Sequence, residues 1–114
     1  MNIDTLLQQL NNSPDSIAFE DTMSVIDANY NFTSTEFNNG DLLNAENQNN
    51  GSCKIFAFAQ LNHINEEQTL HCFGDYYRKD VLENPQGDDH QNIRNFMKNG
   101  WSGISFTNQP LSKK

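Results

Sequence analysis

Only two cysteines, Cys53 and Cys72, occur in 114 residues. That is too few for the disulfide framework of a small secreted scaffold, and their spacing suits neither a zinc ribbon nor a redox pair. A reducing compartment fits such usage. Basic residues are scarce too: seven Lys and Arg stand against fifteen Asp and Glu, a net charge of −8. Such a balance repels phosphate backbones and anionic lipid, so neither nucleic acid nor membrane is expected as a partner. No apolar run could span a bilayer, and Met1-Asn2-Ile3-Asp4-Thr5-Leu6-Leu7 lacks the basic flank and apolar stretch of a secretory signal. A chain soluble in the cytoplasm as made is the expectation, with export through a route that reads disordered N-terminal residues left open. There is no Gly-rich phosphate loop, and His63, His71 and His90 lack zinc spacing with either cysteine, so no cofactor and no metal are expected. Asp27-Ala28-Asn29-Tyr30-Asn31 opens like a calcium loop, but Phe32 stands where Gly is needed and Asn38 where a bidentate Glu belongs.

What the chain does hold is a modest apolar fraction, 35%, enriched in large rings: eight Phe, three Tyr and one Trp. Those rings suffice for one core, and the length suits one domain over residues 1–114. Ile3, Leu6, Leu7 and Leu10 recur at helical spacing. The pattern stops at Asn11-Asn12, and Ser13-Pro14 can open another short helix. Residues 1–18 read as a loosely attached N-terminal helix. Phe19, Met23, Ile26 and Tyr30 predict an amphipathic helix. The run from Tyr30 to Phe37 is then β-favouring, Asn38-Asn39-Gly40-Asp41 is a turn, and Leu42-Leu43 completes a hairpin.

After a polar loop from Asn44 to Gly51, Ser52 caps an apolar helix running to Leu61, placed by its all-round apolarity in the middle of the core. Asn65-Glu66-Glu67-Gln68 opens what the spacing of Leu70, Phe73, Tyr77 and Val81 predicts as the longest helix, ending near Glu83. Asn84-Pro85-Gln86-Gly87 breaks it. Asp88 or Asp89 caps a further helix with Ile93, Phe96 and Met97 on its buried face, closed by Asn99-Gly100. Trp101 to Phe106 reads as a final strand, and residues 107–114 as a tail. The fold class is therefore α+β: about five helices on a small antiparallel sheet made of the hairpin and the C-terminal strand.

Two sets of residues carry candidate chemistry. Cys53 at a helix start, with His90 as base and Asp27 or nearby carboxylates as orienter, is the minimum for a cysteine hydrolase or transferase; a core thiol is the competing reading. Lys54, Arg78, His90 and Arg94, with Asn50, Ser52 and Tyr77, could line a local positive pocket for a carboxylate or phosphate. Against that stands local pairing of the arginines, for instance Arg78 with Asp75.

Three runs carry a resemblance: Asn49-Asn50-Gly51-Ser52-Cys53-Lys54-Ile55-Phe56-Ala57-Phe58-Ala59, Cys72-Phe73-Gly74-Asp75-Tyr76-Tyr77-Arg78, and Asp89-His90-Gln91-Asn92-Ile93-Arg94-Asn95-Phe96-Met97. With Gly100-Trp101 and Gly103-Ile104 to Phe106, the chain from about Phe19 onward resembles the HopJ type III effector family. The resemblance implies a bacterial source and delivery into a host cell by a type III system, and it implies no catalytic or binding residue. The leading expectation is a non-enzymatic protein that binds a partner protein of host or bacterium, or a small anion. The alternatives are the Cys53–His90 enzyme and a bacterial cytoplasmic protein with no host role.

Overall fold

A computed structural model describes residues 1–114. Helix α1 spans Ile3–Asn12, opened by Asn2, whose side-chain oxygen accepts from the Thr5 N–H at 2.8 Å. Its apolar stripe places Leu6 and Leu10 in the core, so this helix is integral to the domain and not loosely attached. A 3-10 turn at Pro14–Ser16 leads into α2, Phe19–Asn29. Three short strands follow: β1 Tyr30–Phe32, β2 Phe37–Asn39 and β3 Leu42–Asn44. Helix α3 covers Asn50–Leu61 and α4 covers Glu66–His71. A π-helical segment runs Tyr76–Val81, then come α5 (Gln91–Asn99), a 3-10 turn at Gly100–Gly103, β4 (Ile104–Phe106) and β5 (Leu111–Lys113).

The fold is α+β, as expected, with two small antiparallel sheets instead of one. β2 is central in the order β3-β2-β4, so the hairpin and the strand after Trp101 do pair. The β-favouring run after Tyr30 is split: Tyr30–Phe32 leaves the hairpin and pairs with β5, Phe32 opposite Leu111. The expected tail is thereby corrected, because Leu111 is buried and residues 111–113 form a strand that the sequence alone, with a single apolar residue there, does not announce. The last strand is also shorter than expected, since Trp101 lies in the 3-10 turn.

The predicted long helix from 65 to 83 is broken at Gly74. Its φ is +64°, and a Cβ there would lie 2.6 Å from the Phe19 amide nitrogen. Only glycine accommodates that backbone approach, and the chain re-enters helix as the π segment. Gly100 closes α5 as expected, at φ +59°. The space its missing side chain leaves is taken by the Glu66 carboxylate, which accepts from the Trp101 N–H at 3.0 Å. Met97, predicted buried, is exposed; Ile93 and Phe96 form the apolar part of a buried face that Asn92 and Asn95 share.

Phe56 of α3 is the hub of the core, with ring centroids of Phe96 at 4.9 Å, Phe73 at 5.6 Å, Phe37 at 6.2 Å and Trp101 at 6.4 Å. The N-terminal segment is fastened to this core by Arg78. Its guanidinium donates to the carbonyls of Pro14 (3.2 Å) and Ile17, and to the carbonyl and Nδ1 of His71, each 3.3 Å. Arg78 can only donate, so His71 Nδ1 accepts and the ring is neutral with its proton on Nε2. Burial first, then the Arg78 charge, hold the His71 pKa below 6.5, against weaker opposing pulls from Glu67 and Asp15. Below that value the unfolded chain binds a proton that the folded chain refuses. Stability contributed by neutral His71 is complete above the unfolded pKa and is lost as pH falls through the folded one. Urea midpoints are therefore expected to drop between about pH 7 and pH 5, and His71→Gln should flatten that part of the profile. A wild-type slope that the variant leaves intact would refute the assignment.

Candidate functional site

Two helices begin at one cavity, and both begin unusually. The residue before α3, Asn49, is left-handed at φ +53°, and the residue before α5, His90, is left-handed at φ +50°. Neither side chain caps its own helix. Asn49 Nδ2 instead donates to Asn44 Oδ1 at 2.7 Å, and His90 Nε2 lies 3.0 Å from Asp80 Oδ2. Ser52 and the Asp88/Asp89 pair were expected as the caps; Ser52 lies within the first turn of α3, and neither aspartate takes the capping position. The first-turn N–H groups of both helices are thus left without a side-chain acceptor, at the positive ends of their dipoles.

The cavity between them has a volume of about 510 Å³. Asn49, Gly51 and Ser52 line it around the start of α3, and His90, Gln91 and Asn92 around the start of α5. Phe19, Phe73 and Tyr76 form an aromatic wall. Tyr76 sits between Phe19, edge-on at 5.1 Å, and the His90 ring at 5.2 Å. With Nε2 committed to Asp80, the free ring nitrogen of His90 is Nδ1.

Asn92 is also the hub of a buried amide network. Its Oδ1 accepts from Asn39 and Asn44 Nδ2, each at 3.0 Å, and its Nδ2 donates to Asn44 Oδ1 at 2.9 Å. Asn39 Nδ2 reaches the Asn92 carbonyl as well, at 2.7 Å, while Asn95 Nδ2 donates to the Asn39 carbonyl at 3.0 Å. The α5 end of the cavity is thereby locked to the β2–β3 hairpin.

Of the residues expected to form a site, Ser52 and His90 do share this cavity. Asn50 lies beside it, its Oδ1 accepting from Ser34 Oγ at 2.9 Å. The positive pocket does not form. Lys54 pairs with Asp27 at 2.9 Å and sits over the Phe32 ring at 5.0 Å. Arg78 is spent on the N-terminal carbonyls, with Asp75 only at 3.9 Å. Arg94 donates to the Asp89 carbonyl (2.6 Å), the Asp89 carboxylate (2.6 Å) and the Asn84 carbonyl (2.9 Å), stapling the loop before α5. Arg94 holds the Asp89 pKa below its usual value. Tyr77 is buried, edge-on to His71 at 5.4 Å.

The Cys53–His90 pair does not form either. Cys53 is buried and outside the cavity lining, and burial pushes its thiol up to about 11, with a partial counter-effect from the Thr35 backbone. A helix start favours the thiolate, but desolvation by the apolar core outweighs that effect here. Asp27, the candidate orienter, is held by Lys54. The sequence reading places Tyr76 and Asn92 within its expected contact segments, Tyr76 to Arg78 and His90 to Arg94, and misses Asp80, Phe19 and Phe73. Asp80 and His90 are ten residues apart across a Pro-Gly loop, a separation that no helical or strand period suggests, and the asparagines look like ordinary loop residues.

No helix is long and apolar enough to cross a membrane. A solved structure described as "Crystal structure of unknown function protein VPA0580" is similar to this chain at 54% identity and a TM-score of 0.98, covering 100% of this chain and 95% of that one. No curated protein matches. The family description "HopJ type III effector protein" matches residues 3–111. That match spans every element that builds the cavity, and the chain belongs to the HopJ type III effector family.

Proposed function

We propose that this protein is a type III effector-like binding module that takes a small ligand with an apolar body and an anionic group. Synthesis in the bacterial cytoplasm and delivery to a host cell are what the family description supports. The single observation carrying the binding reading is the convergence of two uncapped helix starts on one aromatic-walled cavity. Concave sites with an apolar lining and a few convergent polar groups are where small ligands bind. First-turn N–H groups suit a carboxylate or phosphate, and Phe19, Phe73 and Tyr76 suit the apolar body. The buried, proton-holding thiol of Cys53 favours binding over covalent chemistry.

Amide NMR of the full chain tests this with benzoate, inorganic phosphate and the neutral analogue benzyl alcohol as probes. Benzoate is expected to shift the Gly51, Ser52, Gln91 and Asn92 amides saturably, phosphate more weakly and benzyl alcohol not at all. Ser52→Glu sets a carboxylate in the first turn of α3, where it supports the helix, and should abolish the response. Equal shifts from benzoate and benzyl alcohol, or benzoate shifts confined to other residues, would overturn the proposal.

A further inference from the structure

Six large apolar side chains stand out from the surface: Met1, Leu43, Leu61, Tyr76, Leu82 and Met97. Single exposed apolar residues need no explanation. Two of these six, Leu82 (47% exposed) and Met97 (45%), line one groove. It lies between the end of the π-helical segment and α5, holds about 350 Å³, and is completed on its apolar side by Pro85 and buried Val81. Its charged lining is Arg94 and Lys98, with no carboxylate, in a chain of net charge −8. Arg94 is neutralised by Asp89. Lys98 makes no ion pair. The loop that forms one wall is held by three Arg94 hydrogen bonds, so the groove is built into the fold.

We infer that this groove docks an acidic amphipathic helix of a partner protein. Two apolar side chains one turn apart fit against Leu82, Pro85 and Met97, and a flanking carboxylate meets Lys98. A channel between two helical segments accepts a helix lying along it, and an unbranched methionine adapts to the anchors presented. The charge argument selects the partner: an acidic flank meets the unpaired cation, whereas a basic flank meets no carboxylate in the groove. This surface is separate from the ligand cavity and stands whether or not the cavity binds an anion.

The test uses the full chain and a synthetic helical peptide of about 16 residues, with leucines one turn apart and glutamates flanking them. A second peptide carries lysine for each glutamate. The acidic peptide is expected to shift the Leu82, Met97 and Lys98 amides saturably. Lys98→Glu should weaken it about tenfold, and the double variant Leu82→Asp, Met97→Asp should abolish binding. All three positions are exposed, so the fold is retained and thermal melts verify this. Three results would overturn the inference: equal binding of both peptides, shifts outside the groove, or no binding of the acidic peptide up to about 1 mM. A dimer of the chain alone, seen by sedimentation and dispersed by Met97→Asp, would assign the face to a second copy and equally overturn it.

Discussion

Phe56→Ala is expected to lower the unfolding free energy by about 4 kcal/mol, the middle of the range for truncating a buried ring. The ring is fully buried and touches four others contributed by different parts of the chain: Phe37 from β2, Phe73 after α4, Phe96 from α5 and Trp101 from the 3-10 turn. Neighbours drawn from several elements cannot collapse together into the space left behind, because each is tied to its own backbone. The cavity term therefore adds fully to the lost transfer energy. Domains of this size are stable by about 5–15 kcal/mol, so the variant should be partly unfolded at 37 °C or close to it. Phe56→Leu keeps most of the volume and should lose less than half as much. Urea unfolding followed by the single Trp101, which itself packs edge-on to Phe56, measures both. A loss under about 1 kcal/mol for the alanine variant would show that the core repacks freely and that this hub is not one.

Much of this core is legible in the sequence because the signals behind it are local. Leu6 and Leu10 repeat at helical spacing, α3 is apolar on nearly every side, and the Asn38–Asp41 turn sits between two β-favouring runs. The misses share a cause: a partner distant in sequence. The apolar spacing of Leu70, Phe73, Tyr77 and Val81 carries straight across Gly74, and only the approach of the Phe19 backbone explains why the helix breaks there. β5 exists because β1 is beside it, and β1 leaves the hairpin for the same reason. In the site, Ser52 and His90 do share a cavity, as their places at helix starts suggest, since helix starts of one small core face each other readily. Lys54, Arg78 and Arg94 do not join them. Each is captured by an acceptor nearer than the cavity, two of them mainly by backbone carbonyl oxygens that no pattern of charged residues reveals. Cys53 follows the commoner fate of cysteine, burial, because the apolar face that makes α3 central also draws in its first turn.

Asn92→Ala should destabilise the fold by about 3 kcal/mol, a large effect for losing one amide. The magnitude comes from what remains. Three side-chain hydrogen bonds vanish together: those from Asn39 and Asn44 to Asn92 Oδ1, and that from Asn92 to Asn44 Oδ1. Asn39 Nδ2 keeps the Asn92 backbone carbonyl and Asn44 Oδ1 keeps Asn49 Nδ2, but Asn44 Nδ2 is stranded without an acceptor in a buried position. The network has no slack to absorb this, since Asn39 Oδ1 is already buried with no partner. An orphaned buried donor loses its hydration with nothing in exchange, and that penalty exceeds the net worth of the bonds themselves. Removing the orphan as well should restore part of the loss. The double variant Asn44→Ala, Asn92→Ala is expected to be more stable than the sum of the single effects by about 1–2 kcal/mol. Strict additivity within about 0.5 kcal/mol would mean that the two amides act independently. Such a result would remove the reciprocal Asn44–Asn92 pair as the lock that fixes the start of α5, and with it His90, against the hairpin.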